Sequence, residues 1–349
     1  MPNPDPLAYL GHPQQLAGIR HVAMKSGKAK GVELYEVCTG GGLEYAVVKD
    51  RCLDLAWASF RGQNLAYLCS PGVVAPAYFD AQGDGFLESF FGGLLTTCGL
   101  AYAGAPCTDQ GQTLGLHGRV GNVPAEEGGF ETVDGPEGPG LRIHGRMRET
   151  KFFGAELALA REISSPVGGN RIRIRDRVQN RGFAPQPFQL LYHINFGYPL
   201  LSEDAELLLP ARSVTPRNPR AAEGLARHLR IEPPQAGFEE QCYYLDLKTD
   251  AEGCAWVAIL NERLGFGVYE RFRKDTLPRF VQWKQMGQGT YVMGLEPGNC
   301  LPDGRDVERA KGQLRILQPG ETVDLELELG VLDGPEAIRA FRAGLARLD

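Results

Sequence analysis

The sequence predicts an all-β fold, a large antiparallel β-sandwich with few short helices. Apolar and polar residues alternate in many runs of about 6–10 residues, the period of a strand with one buried face. The 45 glycines and 24 prolines separate these runs at short intervals. Helical periodicity is scarce. These three observations together favour packed antiparallel sheets rather than a helical or mixed fold.

Each alternating run is interpreted as one strand. In residues 170–180 isoleucines alternate with arginines, so the arginines are expected on the solvent side of a strand. The same pattern, or a short apolar run, occurs at residues 31–38, 43–50, 53–60, 141–149, 155–164, 205–211, 255–262, 265–272, 279–286, 290–296, 312–320 and 322–331.

Helices are expected in only two places. Residues 334–348 place Ala337, Ile338, Phe341 and Leu345 on one face, and residues 86–95 have room for one or two turns. No linker, charge block or repeat divides the 349 residues. The chain is therefore interpreted as a single domain, 1–349, with an N-terminal extension (1–30) and a C-terminal helix (334–349).

Composition excludes several classes of function. The net charge of -6 disfavours a nucleic-acid surface. No apolar stretch approaches the roughly 18 residues of a membrane span, and the N-terminus does not resemble a signal peptide. The 8 cysteines form no CxxC pair. We therefore expect a cytoplasmic protein with free thiols, without a nucleic-acid or membrane partner.

Two of the six histidines and one glutamate lie in unusual surroundings. His117 stands between glycines in LGLHGRVGN, where a ligand could approach the backbone. His193 lies inside the apolar run LLYHINF, where desolvation should lower its pKa. Glu296 ends the apolar strand TYVMGLE. Each has an ordinary structural explanation, as a turn residue or a core histidine, but together they could transfer protons without a cofactor.

The same segments carry a resemblance to a known family. LHGRVGNVPAE (116–126), NRGFAPQPFQLLYHINFGYPLL (180–201) and GTYVMGLEPGNC (289–300) occur in the order seen in the galactose mutarotase-like, or aldose 1-epimerase, superfamily. The early segment 50–72 is similar to the family's opening strands. The segment 90–100 differs from well-studied mutarotases and indicates an outlying branch. The fold implied is the family's β-supersandwich.

The resemblance implies an isomerase of carbohydrate metabolism that interconverts sugar anomers by acid–base ring opening. It implies Glu296 as base, His193 as acid and His117 as a hydrogen-bonding partner of the ring oxygen. No cofactor and no metal are expected, and the partner is a small carbohydrate bound by a monomer or homodimer. The residues expected to bind the sugar are Arg51, Arg119, Asp246, Gln282, Trp283, Lys284 and Gln285.

Two alternatives remain open from the sequence. The same histidines and glutamate could isomerise a sugar at another carbon, with or without a metal such as Zn²⁺. A β-sandwich could also bind carbohydrate without turning it over, since fold does not determine function.

Overall fold

The computed structural model describes residues 6–135 and 138–348 and consists mainly of antiparallel strands. In chain order the strands are β1 (Gly18–Ala23), β2 (Glu33–Cys38), β3 (Leu43–Val48), β4 (Asp54–Phe60), β5 (Gln63–Asn64), β6 (Tyr67–Leu68), β7 (Gly92–Gly93), β8 (Leu95–Leu100), β9 (Cys107–Asp109), β10 (Gln112–Leu114), β11 (Glu126–Gly135), β12 (Gly138–Thr150), β13 (Glu156–Pro166), β14 (Arg171–Asn180), β15 (Gln186–Phe196), β16 (Ala205–Leu208), β17 (Ala211–Pro216), β18 (Gln241–Leu247), β19 (Cys254–Asn261), β20 (Phe266–Arg273), β21 (Arg279–Gly287), β22 (Thr290–Gly298), β23 (Arg315–Leu317) and β24 (Thr322–Asp333).

The strands form two large sheets. The larger, of 12 strands, has the order β1-β2-β3-β4-β8-β15-β22-β21-β18-β17, with β5 on β4 and β23 on β15. The smaller, of 8 strands, has the order β11-β12-β13-β14-β24-β20-β19-β16. Strands β6 with β7, and β9 with β10, form separate two-stranded ladders. The predicted all-β sandwich is confirmed.

The main core lies between the two sheets. In β14 the alternation predicted from the sequence is present, because Ile172 and Ile174 are buried while Arg175 and Arg177 are exposed. Isoleucine, leucine and valine from both sheets form one continuous apolar cluster. Burial of this apolar surface is the main force that holds the sheets together.

A second, smaller apolar cluster covers part of the other side of the larger sheet, which we call the outer face. Its members include Phe86 and Phe90 from the connection between β6 and β8, packed on Leu191 of β15 and Val281 of β21. Strand β15 is therefore buried on both sides, which explains why its sequence is an apolar run rather than an alternation.

Helices are short and peripheral. They are α1 (Pro219–Gly224), α2 (Arg305–Ala310) and α3 (Gly334–Leu345), with 3-10 turns at Pro6–Tyr9, Pro13–Gln15, Gly27–Ala29, Pro76–Tyr78, Gly85–Glu88, Val120–Asn122 and Leu225–Arg227. The predicted C-terminal helix corresponds to α3, whereas 86–95 contains only part of a 3-10 turn. Within the expected N-terminal extension, β1 pairs with β2. Residues 1–5 and 349 lie outside the described residues.

Candidate active site

Strand register places His193 directly opposite Glu296 on the outer face. Leu191 pairs with Gly298 and Ile194 with Leu295, so the position between them pairs His193 with Glu296. Leu295 and Ile194 belong to the main core, and the alternation of a strand sends their neighbours to the other side. The His193 Nε2 and Glu296 Oε1 atoms lie 3.3 Å apart.

Asn195 determines which nitrogen of His193 carries a proton. The Asn195 amide nitrogen donates to the carbonyls of Gly92, Gly93 and His193, so its oxygen faces His193 Nδ1 at 2.6 Å. An amide oxygen only accepts, and therefore Nδ1 must be the protonated nitrogen. Nε2, the atom beside Glu296, remains free to exchange a proton.

A tight loop carries His117 to the same place. His117 has a backbone φ of 57°, and Gly118 follows with a φ of 81°. A Cβ on Gly118 would lie 2.3 Å from the carbonyls of both Gly99 and Tyr102, so only glycine fits there. The His117 ring centroid is 5.6 Å from that of His193, and its Nδ1 is buried without a hydrogen-bond partner.

Aromatic side chains enclose these three groups. The rings of Phe90 and Trp283 each lie 5.2 Å from the His193 ring, and Phe86 lies 5.2 Å from the His117 ring. The Trp283 indole nitrogen donates to Glu240 at 2.7 Å. Aromatic rings therefore surround a small number of convergent polar groups, a combination typical of small-molecule sites, and we call this arrangement the cleft.

Glycine provides the space around the carboxyl group. A Cβ on Gly294 would lie 2.4 Å from Glu296 Oε1, so a larger residue would collide with it. Glu296 is only 2% exposed, and Oε1 has no hydrogen bond. Buried polar atoms are nearly always paired in folded proteins, so this oxygen is available to a ligand.

Burial makes the neutral forms of these groups dominant. It raises the pKa of Glu296 far above its usual range, with a further increase from the charge of Glu240 and an opposing effect from Arg217. Burial lowers the pKa of His193 to about 4 and that of His117 to about 3. Near pH 7 the exchangeable proton of the His193–Glu296 pair therefore rests on Glu296.

The two arginines expected to bind sugar lie apart from this cluster. Arg51 is fully buried, and its guanidinium donates to the carbonyls of Gly121 at 2.7 Å and Val74 at 2.9 Å. It supports the segment that follows His117. Arg119 is exposed and lines a separate cavity of about 1000 Å³ with Glu149.

The four consecutive residues from Gln282 to Gln285 divide between two faces. Trp283 faces the cleft, whereas Gln282 and Lys284 point to the other side of β21 because side chains alternate along a strand. Gln282 there contacts Met293, and Lys284 pairs with Glu232 at 2.6 Å.

Gln285 shares the face of Trp283, but its amide donates to the Phe238 carbonyl at 3.3 Å and accepts from the Gly287 backbone at 2.8 Å. Asp246 pairs with Lys274 at 2.6 Å. Neither residue contacts the histidines. Of the seven expected sugar-binding residues, Trp283 is the one whose ring lies against His193.

Several residues of the cleft were missed by the sequence-based reasoning. Asn195 follows His193 by two positions, so strand period alone could have placed it on the same face. Gly294 precedes Glu296 by two positions and could have been found in the same way. Phe90 and Arg217 give no such signal, because Phe90 belongs to the connection between β6 and β8 and Arg217 follows β17 at the edge of the sheet.

The metal-assisted alternative finds no ligand set at the cleft among the described residues. Within residues 6–135 and 138–348, the group whose ligand atoms converge is Asp250, Glu252 and Cys254. Asp250 there already accepts from two backbone amides and from Trp256 Nε1.

A family model described as "Domain of unknown function (DUF4432)" matches residues 29–331. The chain belongs to the DUF4432 family. No curated protein matches it. Among solved structures, this DUF4432 protein is similar to a provisionally assigned aldose 1-epimerase from Klebsiella pneumoniae, with 28% identity, a TM-score of 0.89, and coverage of 95% of this chain and 87% of that one.

More distant structures share the fold. A galactose 1-epimerase from Lactobacillus acidophilus has 14% identity and a TM-score of 0.62 over 91% of this chain and 100% of that one. A galactose mutarotase-like protein from Clostridium acetobutylicum has 11% identity and a TM-score of 0.62 over 91% and 99%. The predicted membership of an outlying branch of the mutarotase-like superfamily is confirmed. No helix of the described residues is long and apolar enough to cross a membrane.

Proposed function

We propose that this DUF4432 protein is an aldose 1-epimerase that interconverts the anomers of a sugar. The observation that carries the proposal is the His193–Glu296 pair, with 3.3 Å between Nε2 and Oε1, in an aromatic cleft beside His117. Anomer exchange needs one group that removes the proton of the C1 hydroxyl and one that protonates the ring oxygen. The pair offers both groups, and they are close enough to act on the C1 hydroxyl and on the ring oxygen of one sugar.

In ring opening, the Glu296 carboxylate takes the C1 hydroxyl proton while His193 Nε2 delivers a proton to the ring oxygen. The C1–O5 bond breaks and C1 becomes an aldehyde carbon. Rotation about the C1–C2 bond and the reverse transfers then close the ring on the other face. Protons balance, because one enters the pair as one leaves.

The environment of the pair favours these transfers. The reactive form has a carboxylate and a protonated imidazole, and ring opening converts both to neutral groups. Burial stabilises that neutral state, as the raised pKa of Glu296 and the lowered pKa of His193 indicate. A C1 hydroxyl that donates to Glu296 would stabilise the carboxylate and move its proton to Nε2 at the start of the cycle.

His117 and Trp283 have supporting roles in this mechanism. A histidine with a pKa of about 3 is neutral near pH 7, so His117 would hydrogen-bond the ring oxygen rather than protonate it. The Trp283 ring, tilted 74° to His193, forms a wall against which the sugar's C–H face can pack.

The test is NMR exchange spectroscopy on a panel of aldoses with wild type and Glu296→Gln. We expect wild type to accelerate α/β exchange and the variant to lose about 10²–10⁴-fold, the usual contribution of one positioned acid–base group. The matched control is Glu270→Gln, which changes another fully buried glutamate, on β20 of the smaller sheet. It should keep the wild-type rate.

Two results would reject the proposal. If wild type accelerates exchange for no sugar, the protein is not an aldose 1-epimerase. Sugars that bind equally to wild type and Glu296→Gln in that case would indicate a carbohydrate-binding protein. Equal loss in the Glu270→Gln control would mean that Glu296 acts through folding rather than chemistry.

A further inference from the structure

Arg217 lies at the edge of the larger sheet, on the face that carries the proposed active site. It follows β17, and its backbone N–H donates to the Cys242 carbonyl at 3.0 Å. Cys242 pairs with Trp283, which pairs with Gly294. Residues opposite each other in a ladder share a face, so Arg217 lies on the outer face, in one row with the Trp283 wall.

The Arg217 guanidinium acts on both ends of the catalytic group. Its charge contributes to lowering the pKa of His117, after the larger effects of burial and of His193. It also opposes the increase in the pKa of Glu296.

The contacts agree with these effects. The Pro302 carbonyl that accepts from Arg217 Nη2 also accepts from the Ala105 backbone N–H at 3.1 Å. The neighbouring Gly104 carbonyl accepts from the His117 backbone N–H at 2.8 Å. The guanidinium therefore lies beside the segment that contacts the His117 backbone.

Few donors of this guanidinium are committed. Nη2 donates to the Pro302 carbonyl at 3.0 Å, Nε lies 3.5 Å from Asp303 Oδ1, at the limit of a hydrogen bond, and the side chain also interacts with the Cys242 thiol. The side chain is 27% exposed. A guanidinium has five N–H donors in a rigid fork, so donors remain for a planar or tetrahedral anion.

Positive charge is in excess around Arg217. Asp303 is also the partner of Lys311 at 3.5 Å and accepts from the Tyr244 hydroxyl, so one carboxylate faces two cations. Arg217, Lys311 and Arg279 line one cavity of about 540 Å³ with two carboxylates, Asp303 and Asp246, and Asp246 is already paired with Lys274. The cations of this cavity therefore outnumber its carboxylates, and an anionic group on a sugar would complement them better than a hydroxyl group.

We propose that Arg217 binds an anionic group on the sugar, a carboxylate or a phosphate, while the anomeric carbon lies between His193 and Glu296. This inference rests on the proposed function and names its substrate class: uronates or aldose phosphates rather than neutral aldoses. Arg217 is then the specificity-determining residue. The basic cavity beside it strengthens the attraction without contacting the reacting atoms.

The experiment compares α/β exchange of galactose, galacturonate and galactose 6-phosphate, and of the three matching glucose compounds. We expect wild type to have a kcat/KM at least tenfold higher for one anionic form than for its neutral parent. Arg217→Gln should remove this preference through KM, because the loss of kcat/KM should be at least tenfold greater for the anionic sugar than for its neutral parent. Comparison of the uronates with the sugar 6-phosphates shows whether the bound anion is a carboxylate or a phosphate.

Arg177→Gln serves as the matched control. Arg177 is an exposed arginine that also pairs with an aspartate, Asp324 at 2.7 Å, but on the outer side of the smaller sheet. It should not change the preference. The inference would be overturned if wild type had the higher kcat/KM for neutral sugars. It would also be overturned if Arg217→Gln reduced kcat/KM equally for neutral and anionic sugars.

Equilibrium binding separates this inference from the proposed function. The quenching of Trp283 fluorescence by each sugar can be measured whether or not turnover occurs. If no sugar is anomerised, the proposed function fails, yet tighter binding of an anionic sugar to wild type than to Arg217→Gln still supports the Arg217 site. Equal binding of neutral and anionic sugars to both proteins rejects it.

Discussion

Two clusters of buried ionisable groups lie on opposite sides of β15, and they differ in how completely they are hydrogen-bonded. On the inner side, Tyr192 donates to Asp176 at 2.8 Å, and Asp176 pairs with Arg161 at 2.6 Å. On the outer side, the neighbouring residue His193 faces Glu296, whose Oε1 makes no hydrogen bond. Burial is nearly complete in both clusters.

The inner cluster connects the two sheets. Arg161 of β13 also donates to Asp54 of β4 at 2.9 Å and to Thr97 of β8 at 2.9 Å. The Thr97 backbone N–H in turn donates to Asp54 at 2.8 Å. Because each charge has partners, this cluster fixes β8 and β15, the strands next to the cleft. Hydrogen-bonded charges therefore position the site, whereas buried polar groups without partners are available to a substrate.

The largest expected effect is on stability, when the inner cluster is broken. Asp176→Asn removes one partner of a buried ion pair, and we expect it to cost about 3–5 kcal/mol of unfolding free energy. Glu296→Gln should leave the free energy of unfolding unchanged, since it replaces a neutral carboxylic acid that has no hydrogen bond. Chemical denaturation of both variants at neutral pH measures the difference.

Asp324→Asn is the surface control for that measurement. It breaks an arginine–aspartate pair of the same kind with Arg177, in which the side chains are 66% and 67% exposed, and it should cost at most about 1 kcal/mol. If Asp176→Asn is no worse than this control, the inner cluster does not hold the strands as described.

The sequence predicted the outer cluster better than the inner one, for a physical reason. His193 and Glu296 each interrupt an apolar strand, and that interruption is visible in the chain itself. Asp176 interrupts the alternation of 170–180 in the same way, on the buried side with Ile174, but its arginine partner comes from another strand. Partners across strands depend on register, which one sequence does not reveal.

The separation of the predicted sugar-binding residues has the same origin. Gln282 and Lys284 were grouped with Trp283 because they are adjacent in sequence, although strand period separates their faces. Arg217 could not be found, because its position depends on the pairing of β17 with β18 and of β18 with β21. Local patterns were enough to predict the fold class, whereas predicting all residues of the cleft would have required the order of the strands in the sheet.

Glu270 provides a third case, a buried carboxyl group that has neither partners nor a cleft. Both of its oxygens lack hydrogen bonds, and burial, with a smaller effect of Glu296, raises its pKa well above 4.5. Folded protein therefore keeps a proton that unfolded protein releases. The stability that protonated Glu270 contributes is lost as the pH rises above the pKa that this residue has in the unfolded chain.

Glu270→Gln should remove that pH dependence. Relative to wild type, the variant should gain about 1 kcal/mol or more of unfolding free energy between about pH 5 and about pH 7. Denaturant unfolding at the two pH values measures it, with Glu44→Gln on an exposed position of β3 as control. A difference between variant and wild type that is the same at both pH values would show that Glu270 ionises normally.

The smallest expected effect concerns the space that Gly294 leaves beside the Glu296 carboxyl group in the outer cluster. Gly294→Ala would place a methyl group 2.4 Å from Glu296 Oε1, so the carboxyl group must move. We expect about a tenfold loss of anomer exchange, since a displacement near 1 Å can cost more than this in an enzyme. Gly344→Ala, in α3 where a Cβ meets nothing, should leave the rate unchanged. Unaltered activity in Gly294→Ala would mean that Glu296 reaches its substrate from another rotamer, and that the open space beside it is not part of the site.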